Sequence, residues 1–244
     1  MATANTPERT PEEIKANLAK TRADIIKTQA EARKLTAEAE TAEAEAAKAK
    51  LELKKLQADR KRVKAGDSEN HVYRFNGGVD KASVAKCRCK LTQWSRLSPG
   101  CDMEIVFASP GGGITSGFEL FDYIQQLRAV GHNITTGSLG MAASMAGILL
   151  QAGDTRWIGQ QSWILIHRAA FGAIGKTFEI EDEVVWIKRI EERIINIFTS
   201  RSNLTPLKIK RNWDRKDWWI NADEALEMGL VDEVRGKMPE IDNE

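Results

Sequence analysis

A chain of 244 residues, 42% hydrophobic and 29% charged, holds enough apolar material for one well-buried domain plus an appendage. Its formal net charge of +1 points to neither nucleic acid nor a membrane surface, and no run approaches the ~18 uninterrupted apolar residues of a membrane span. The start, "MATANTPERTPEE", lacks a basic region followed by an apolar one, so the expectation is a soluble, cytoplasmic protein. Cys87, Cys89 and Cys101 are odd in number and include a C-x-C pair, which fits neither a disulfide framework nor a zinc knuckle; all three are expected to be reduced packing residues.

From about Pro11 to Ala65 the chain has no glycine and no aromatic residue, and Ala, Glu, Lys and Leu dominate. Thr10 before Pro11, Glu12 and Glu13 supplies an N-cap, a proline at the first helical position and acids in the first turn, while Gly66 supplies the stop. Alternate steps of four and three from Ile14 run through Leu18, Ile25, Leu35, an alanine-filled middle, Leu53 and Leu56 to Val63 without a break. That repeat predicts a coiled-coil helix spanning ~80 Å at 1.5 Å per residue, which cannot bury its seam alone. Its partner is either another copy or a different protein. The assigned units are residues 1–66, residues 67–235 and a tail at 236–244.

Beyond residue 71 the texture becomes α/β. "NHVYRFNG" predicts a strand, "DKASVAKCRCKLTQWSRL" an amphipathic helix, and "MEIVFASPGGG" a buried strand entering a glycine-rich turn. A helix over "TSGFELFDYIQQLRAV" and a strand over "NITTGSL" follow; then come a helix over "MAASMAGILLQAG" and strands around "TRWIG" and "SWILIH". Residues 177–203 predict a second strong amphipathic helix, and "WDRKDWWINADEALEMGLVDEV" an aromatic-rich turn, a short helix and a last strand. Such alternation predicts a mainly parallel sheet flanked by helices, with reactive groups in loops after the strand C-termini.

Three features could carry chemistry. Ser144 is expected in the first turn of its helix, where unpaired N–H groups favour an anion, although Ala142-Ala143-Ser144-Met145-Ala146 is not the G-x-S-x-G of α/β-hydrolases. "ASPGGG" at 108–113 frees backbone N–H groups for an oxyanion or a docked strand, and no G-K-[ST] follows to make it a phosphate loop. His167 ends an apolar strand, where a general base would sit. For an orienting acid, Asp214, Asp217 and Asp223 all lie in the aromatic segment; Asp217 stands beside Trp218 and Trp219, whose bulk would shield a carboxylate.

"SPGG" at 109–112, "AASMA" at 142–146, His167 and "ADEALEMGLVDEV" at 222–234 stand in the order and near the spacing of the proteolytic subunit of the Clp protease, ClpP. From about 71 to 235 the chain resembles that family, and especially its relatives that act as head maturation proteases in tailed phages. The resemblance implies a ClpP/crotonase-like fold of stacked ββα units with a mainly parallel sheet, here preceded by the long N-terminal helix. It implies Ser144 as nucleophile, His167 as general base and then acid, and Asp217 as orienting acid. Met145 and Gly111 would give oxyanion N–H groups, and Gly112 would help dock substrate as an added strand. Helix 177–203 would be the family's handle, packing ring against ring in a homo-oligomer. No metal or cofactor is implied.

Met141 stands where glutamine is usual, and Arg168-Ala169 replaces the usual Gln-Pro; neither removes a catalytic group. The long helix takes the place of a short axial loop, which bears on docking to an ATP-driven unfoldase and on the usual seven-membered ring. The expected activity is serine endopeptidase, on capsid or scaffold proteins in host cytoplasm or prohead. Rival readings are a scaffold protein acting through the coiled coil, a housekeeping ClpP subunit working with an unfoldase, and crotonase-type acyl-CoA chemistry.

Overall fold

A computed structural model describes residues 10–237. The chain divides into two compact units, Met1–Lys64 and Ala65–Glu244. Residues 1–9 of the first unit and most of the expected tail, 238–244, lie outside the described residues.

The first unit is one helix, α1 (Pro11–Lys64), of 54 residues. Thr10 and Glu13 cap it reciprocally: Glu13 N–H donates to Thr10 Oγ1 (3.4 Å) and Thr10 N–H donates to Glu13 Oε2 (3.0 Å). No residue of α1 is buried, so the apolar seam meets no other part of its own unit.

The second unit runs β1 (Val72–Asn76), α2 (Lys81–Leu97), β2 (Asp102–Ser109), α3 (Ile114–Ala129), β3 (Asn133–Ala143), α4 (Met145–Leu150), β4 (Thr155–Gly159), β5 (Trp163–Ile166), α5 (Thr177–Ser200), α6 (Pro206–Trp213), β6 (Trp218–Asn221), α7 (Ala222–Glu227) and β7 (Glu233–Arg235). Strands pair in the order β1-β2-β3-β4-β7, all parallel. The long β3 also pairs parallel with β5 through its last three residues, and β6 runs antiparallel to β5. This mixed, mostly parallel sheet with flanking helices is consistent with the fold that the resemblance implies. Strands buried on both faces read as continuous apolar runs, as in Ile105-Val106-Phe107 of β2.

Three predicted elements differ from the structure. The chain stays a strand through Met141-Ala142-Ala143, because Met141 pairs with Trp163, Ala143 with Leu165 and Ala142 with both Ser109 and Ile164. Ladder hydrogen bonds on two sides outweigh the helix preference of alanine. The helix therefore starts at Met145, and Ser144 is its N-cap rather than a residue of its first turn. The aromatic turn is in part strand β6, and "PLKIKRNW" forms α6, capped by Thr205, whose Oγ1 accepts from Lys208 N–H at 3.2 Å.

Ionic contacts tie the sheet's far end. Arg156, almost wholly buried, binds Asp232 with two guanidinium nitrogens and reaches Gln151 Oε1 and Arg201 O, while Arg128 pairs with Asp154. Among the described residues no helix is long and apolar enough to cross a membrane.

Candidate active site

Ser144 sits where β3 ends, with φ 55° and ψ −123°, a conformation that costs a residue with a Cβ about 1–2 kcal/mol. Its N–H donates to Leu165 O of β5 at 2.9 Å, so the neighbouring strand holds the strained turn in place. Its carbonyl accepts from Gly147 N–H at 3.0 Å. A Cβ on Gly147 would stand 3.1 Å from Ala142 O, so the small residues after Ser144 do let the helix begin close to the strand it leaves.

The glycine-rich loop after β2 comes to the same place. A Cβ on Gly111 (φ +90°) would lie 2.6 Å from Ala143 O, 2.7 Å from Ser144 Cβ and 2.8 Å from Met145 N. Gly111 thus lies against both Ser144 and the first amide of α4. Val79 fastens the loop from behind: its N–H donates to Gly111 O (2.8 Å) and its carbonyl accepts from Gly113 N–H (2.7 Å). In such a parallel bridge the N–H and C=O of Gly112 itself point away from Val79, and Gly112 lines the pocket beside Ser144.

His167 follows directly on β5 and shares with Ser144 a pocket of about 80 Å³. Its walls are mostly apolar, from Ile114 of α3, Met145 and Ile148 of α4, Leu165 and Ile166 of β5, and Ile194 and Phe198 of α5, with Arg168 also lining it. Met145, 1% exposed, is packed by its side chain onto Gly117 of α3, where a Cβ would stand 2.2 Å from Met145 Cγ.

The three candidate acids separate clearly. Asp223 bonds Gln160 and pairs with Lys237, at the other end of β6. Asp214 lies in a groove with Arg168 and Glu191. Asp217 immediately precedes β6, whose register pairs Trp218 with Ile166, so the next opposed positions are Asp217 and His167. Antiparallel pairing thus brings the candidate acid and base to adjacent strand ends, but Asp217 is exposed and Trp219 is 44% exposed, so the expected shielding of the carboxylate does not form.

The donors and acceptors are not engaged with one another. No hydrogen bond joins His167 to Ser144 or to Asp217 among the described residues, and Gly111 N–H donates to the buried Ser109 Oγ at 3.1 Å. In substrate-free sites such bonds are commonly long or absent and tighten when substrate is bound. Among the described residues no group of three His, Cys, Asp or Glu side chains could hold a metal ion.

Sequence reasoning missed the support around His167. Arg168 makes a two-pronged bond to Glu191 (3.0 Å on each arm), anchoring the segment after His167 to α5. The bond and the charge of Glu191 raise the Arg168 pKa further, although partial burial opposes it. The signal was in the sequence: Glu191 falls on the buried stripe Ile187, Ile190, Ile194, Ile195 and Phe198 of α5, where a lone carboxylate needs a partner.

A protein-family model described as Clp protease matches residues 68–238, a span that excludes α1. The chain is 31% identical over 161 residues to the ATP-dependent Clp protease proteolytic subunit of Porphyromonas gingivalis, covering 65% of this chain and 71% of that protein. It is 36% identical over 158 residues to proteolytic subunit 2 of Tropheryma whipplei, covering 64% and 85%. The proteolytic subunit of Bacteroides fragilis is 32% identical over 158 residues, covering 64% and 74%.

Proposed function

The chain belongs to the Clp protease family and is a serine-type peptidase, and from that premise we propose that Ser144, His167 and Asp217 cleave peptide bonds through an acyl-enzyme. The observation that carries this assignment is that Ser144, Met145 and His167 line one pocket, with Gly111 packed against Ser144 and the Met145 amide and Asp217 opposite His167 in strand register.

His167 takes the Ser144 hydroxyl proton as Oγ attacks the substrate carbonyl. Asp217 holds the imidazole in the tautomer that accepts at the nitrogen facing Ser144 and stabilises the imidazolium. Charge then develops on the carbonyl oxygen beside the first amide of α4, Met145 N–H, which has no partner among the described residues. Gly111 N–H joins it by giving up Ser109 Oγ. His167 returns the proton to the leaving amine, and water admitted after its departure releases the acyl group by the reverse sequence. Gly112, with outward-facing N–H and C=O, takes the substrate backbone as an added strand. The pocket between α3, α4 and α5 takes an apolar side chain next to the scissile bond.

The relatives' names favour a cellular setting, in which this chain works as the proteolytic subunit of an ATP-dependent protease. Capsid or scaffold proteins as substrates, in a prohead, is the narrower reading and rests on the sequence resemblance to the phage enzymes.

A fluorophosphonate probe tests the chemistry. Wild type is labelled once on Ser144, Ser144→Ala is not labelled, and Asp217→Asn is labelled ~10²–10⁴-fold more slowly with its melting point within about 2 °C of wild type. Labelling that survives Ser144→Ala, or an Asp217→Asn variant as fast as wild type, overturns the assignment. Hydrolysis of unfolded against folded protein, with and without an ATP-driven unfoldase, separates the cellular setting from an autonomous one.

A further inference from the structure

We propose that α1 pairs with a second copy of itself as a parallel, in-register, two-stranded coiled coil. Its seam is solvent-exposed: Leu18, Ile25, Leu35, Leu53 and Leu56 are each more than half accessible, and α1 buries no residue. A helix gains most of its stability by packing an apolar face, so this face calls for a partner. The flanks of the seam say which partner and in which direction.

With Leu18, Ile25 and Leu53 at the first seam position of their heptads, the residue before each such position is an acid six times running, in Asp24, Glu31, Glu38, Glu45, Glu52 and Asp59. The opposite flank, after the second seam position, carries Lys15, Arg22, Lys50 and Lys64, neutral Gln29, Thr36 and Gln57, and a single acid, Glu43. In a parallel coil the first flank of one copy meets the second flank of the other, five residues on. Glu45 then faces Lys50, Asp59 faces Lys64, three acids face neutral residues, and only Glu38 faces an acid, Glu43. In an antiparallel coil each flank meets its own kind, and the unbroken acidic stripe would face itself in any register.

Register follows from side-chain size. In register, the apolar residues of the Ile14 to Ile25 and Leu53 to Val63 ends pack large on large, and Ala39, Ala42, Ala46 and Ala49 pack small on small, while Arg60 meets its own copy at a seam position; a slip by one or two heptads sets leucine against alanine. Both peptidase units then leave the coil at the same end, so the coil couples catalytic units in pairs. The competing arrangement is a lone helix laced by its own charges, of which Lys34–Glu38 at 3.8 Å is one pair.

The test uses the full chain with Cys89→Ser, which removes the exposed native thiol, and adds Leu18→Cys, Leu56→Cys or, on the outer face, Ala37→Cys. Under mild oxidation each seam variant forms covalent dimers with itself and the outer-face variant does not. Adding Glu43→Lys, which converts the one like-charged contact between the flanks, raises the cross-linked fraction at limiting concentration about threefold. Cross-linking only in a mixture of the Leu18 and Leu56 variants, with Glu43→Lys lowering it, would establish the antiparallel pair and overturn the proposal. Absence of cross-linking in every mixture would overturn it in favour of a lone helix or a different protein.

Discussion

Replacing Gly111 by alanine places a methyl group where Ser144 and the first amide of α4 already stand. Its nearest backbone neighbours would be Ala143 O at 2.6 Å and Met145 N at 2.8 Å, about 0.8 and 0.6 Å inside an ordinary 3.4 Å contact. These are backbone atoms, so no side-chain rotation relieves the clash and the glycine loop itself must retreat. The positive φ adds about 1–2 kcal/mol for any residue with a Cβ, and overpacking adds about 1–3 kcal/mol. A total of ~2–5 kcal/mol leaves a domain of ordinary stability folded and lowers its melting temperature by roughly 4–20 °C. Retreat by most of an ångström withdraws the Gly111 amide from the proposed oxyanion position, and loss of one such donor lowers turnover ~10²–10³-fold. Thermal melts, peptide hydrolysis and probe labelling at a temperature well below the melt separate the two effects. A folded Gly111→Ala variant with wild-type hydrolysis would refute the placement of this loop at the reacting centre.

Two further outcomes follow from strain and charge. Ser144→Gly and Ser144→Ala both lose the proposed nucleophile, but glycine accepts φ 55° freely; the glycine variant is more stable by about 1 kcal/mol in urea denaturation, and equal stability or the reverse order would show that the turn is unstrained. Partial burial alone would raise the Asp232 pKa, but hydrogen bonds from the Arg156 side chain and amide, and the Arg156 charge, outweigh it and hold the carboxyl below its ordinary value. The stabilisation is present above the unfolded-state pKa of about 4 and is lost as pH falls through the lower folded value. Since Arg156 is buried and Asp232 is 40% exposed, Asp232→Asn destabilises by about 2 kcal/mol at pH ~7, a gap that closes in acid; a gap independent of pH would contradict the ionic origin.

Much of this architecture is written in local patterns. Strand and helix alternate visibly from Val72 onward, and each strand that ends at the site does so with a residue of unusual freedom or chemistry, Gly111, Ser144 or His167. The Ser144 turn was not legible, because Met141-Ala142-Ala143 has helix-forming composition and becomes a strand only through partners contributed by β2 and β5. Strand β6 was hidden for the same reason: Trp218 and Trp219 read as a turn until β5 is placed beside them. Long-range pairing decided both, and no window of sequence contains it. The motifs could place Gly111 N–H near an oxyanion but could not show that Ser109 Oγ accepts it in the absence of substrate.

The pairing of β5 with β6 also sets a timetable. About 50 residues separate His167 from Asp217, so a chain growing from its N-terminus exposes nucleophile and base well before the acid exists. Contacts that span so much chain close late in folding, because the loop entropy must first be overcome. In the proposed triad the orienting acid thus arrives with almost the last strand, so the unfinished chain carries its nucleophile and base without the group that orients them.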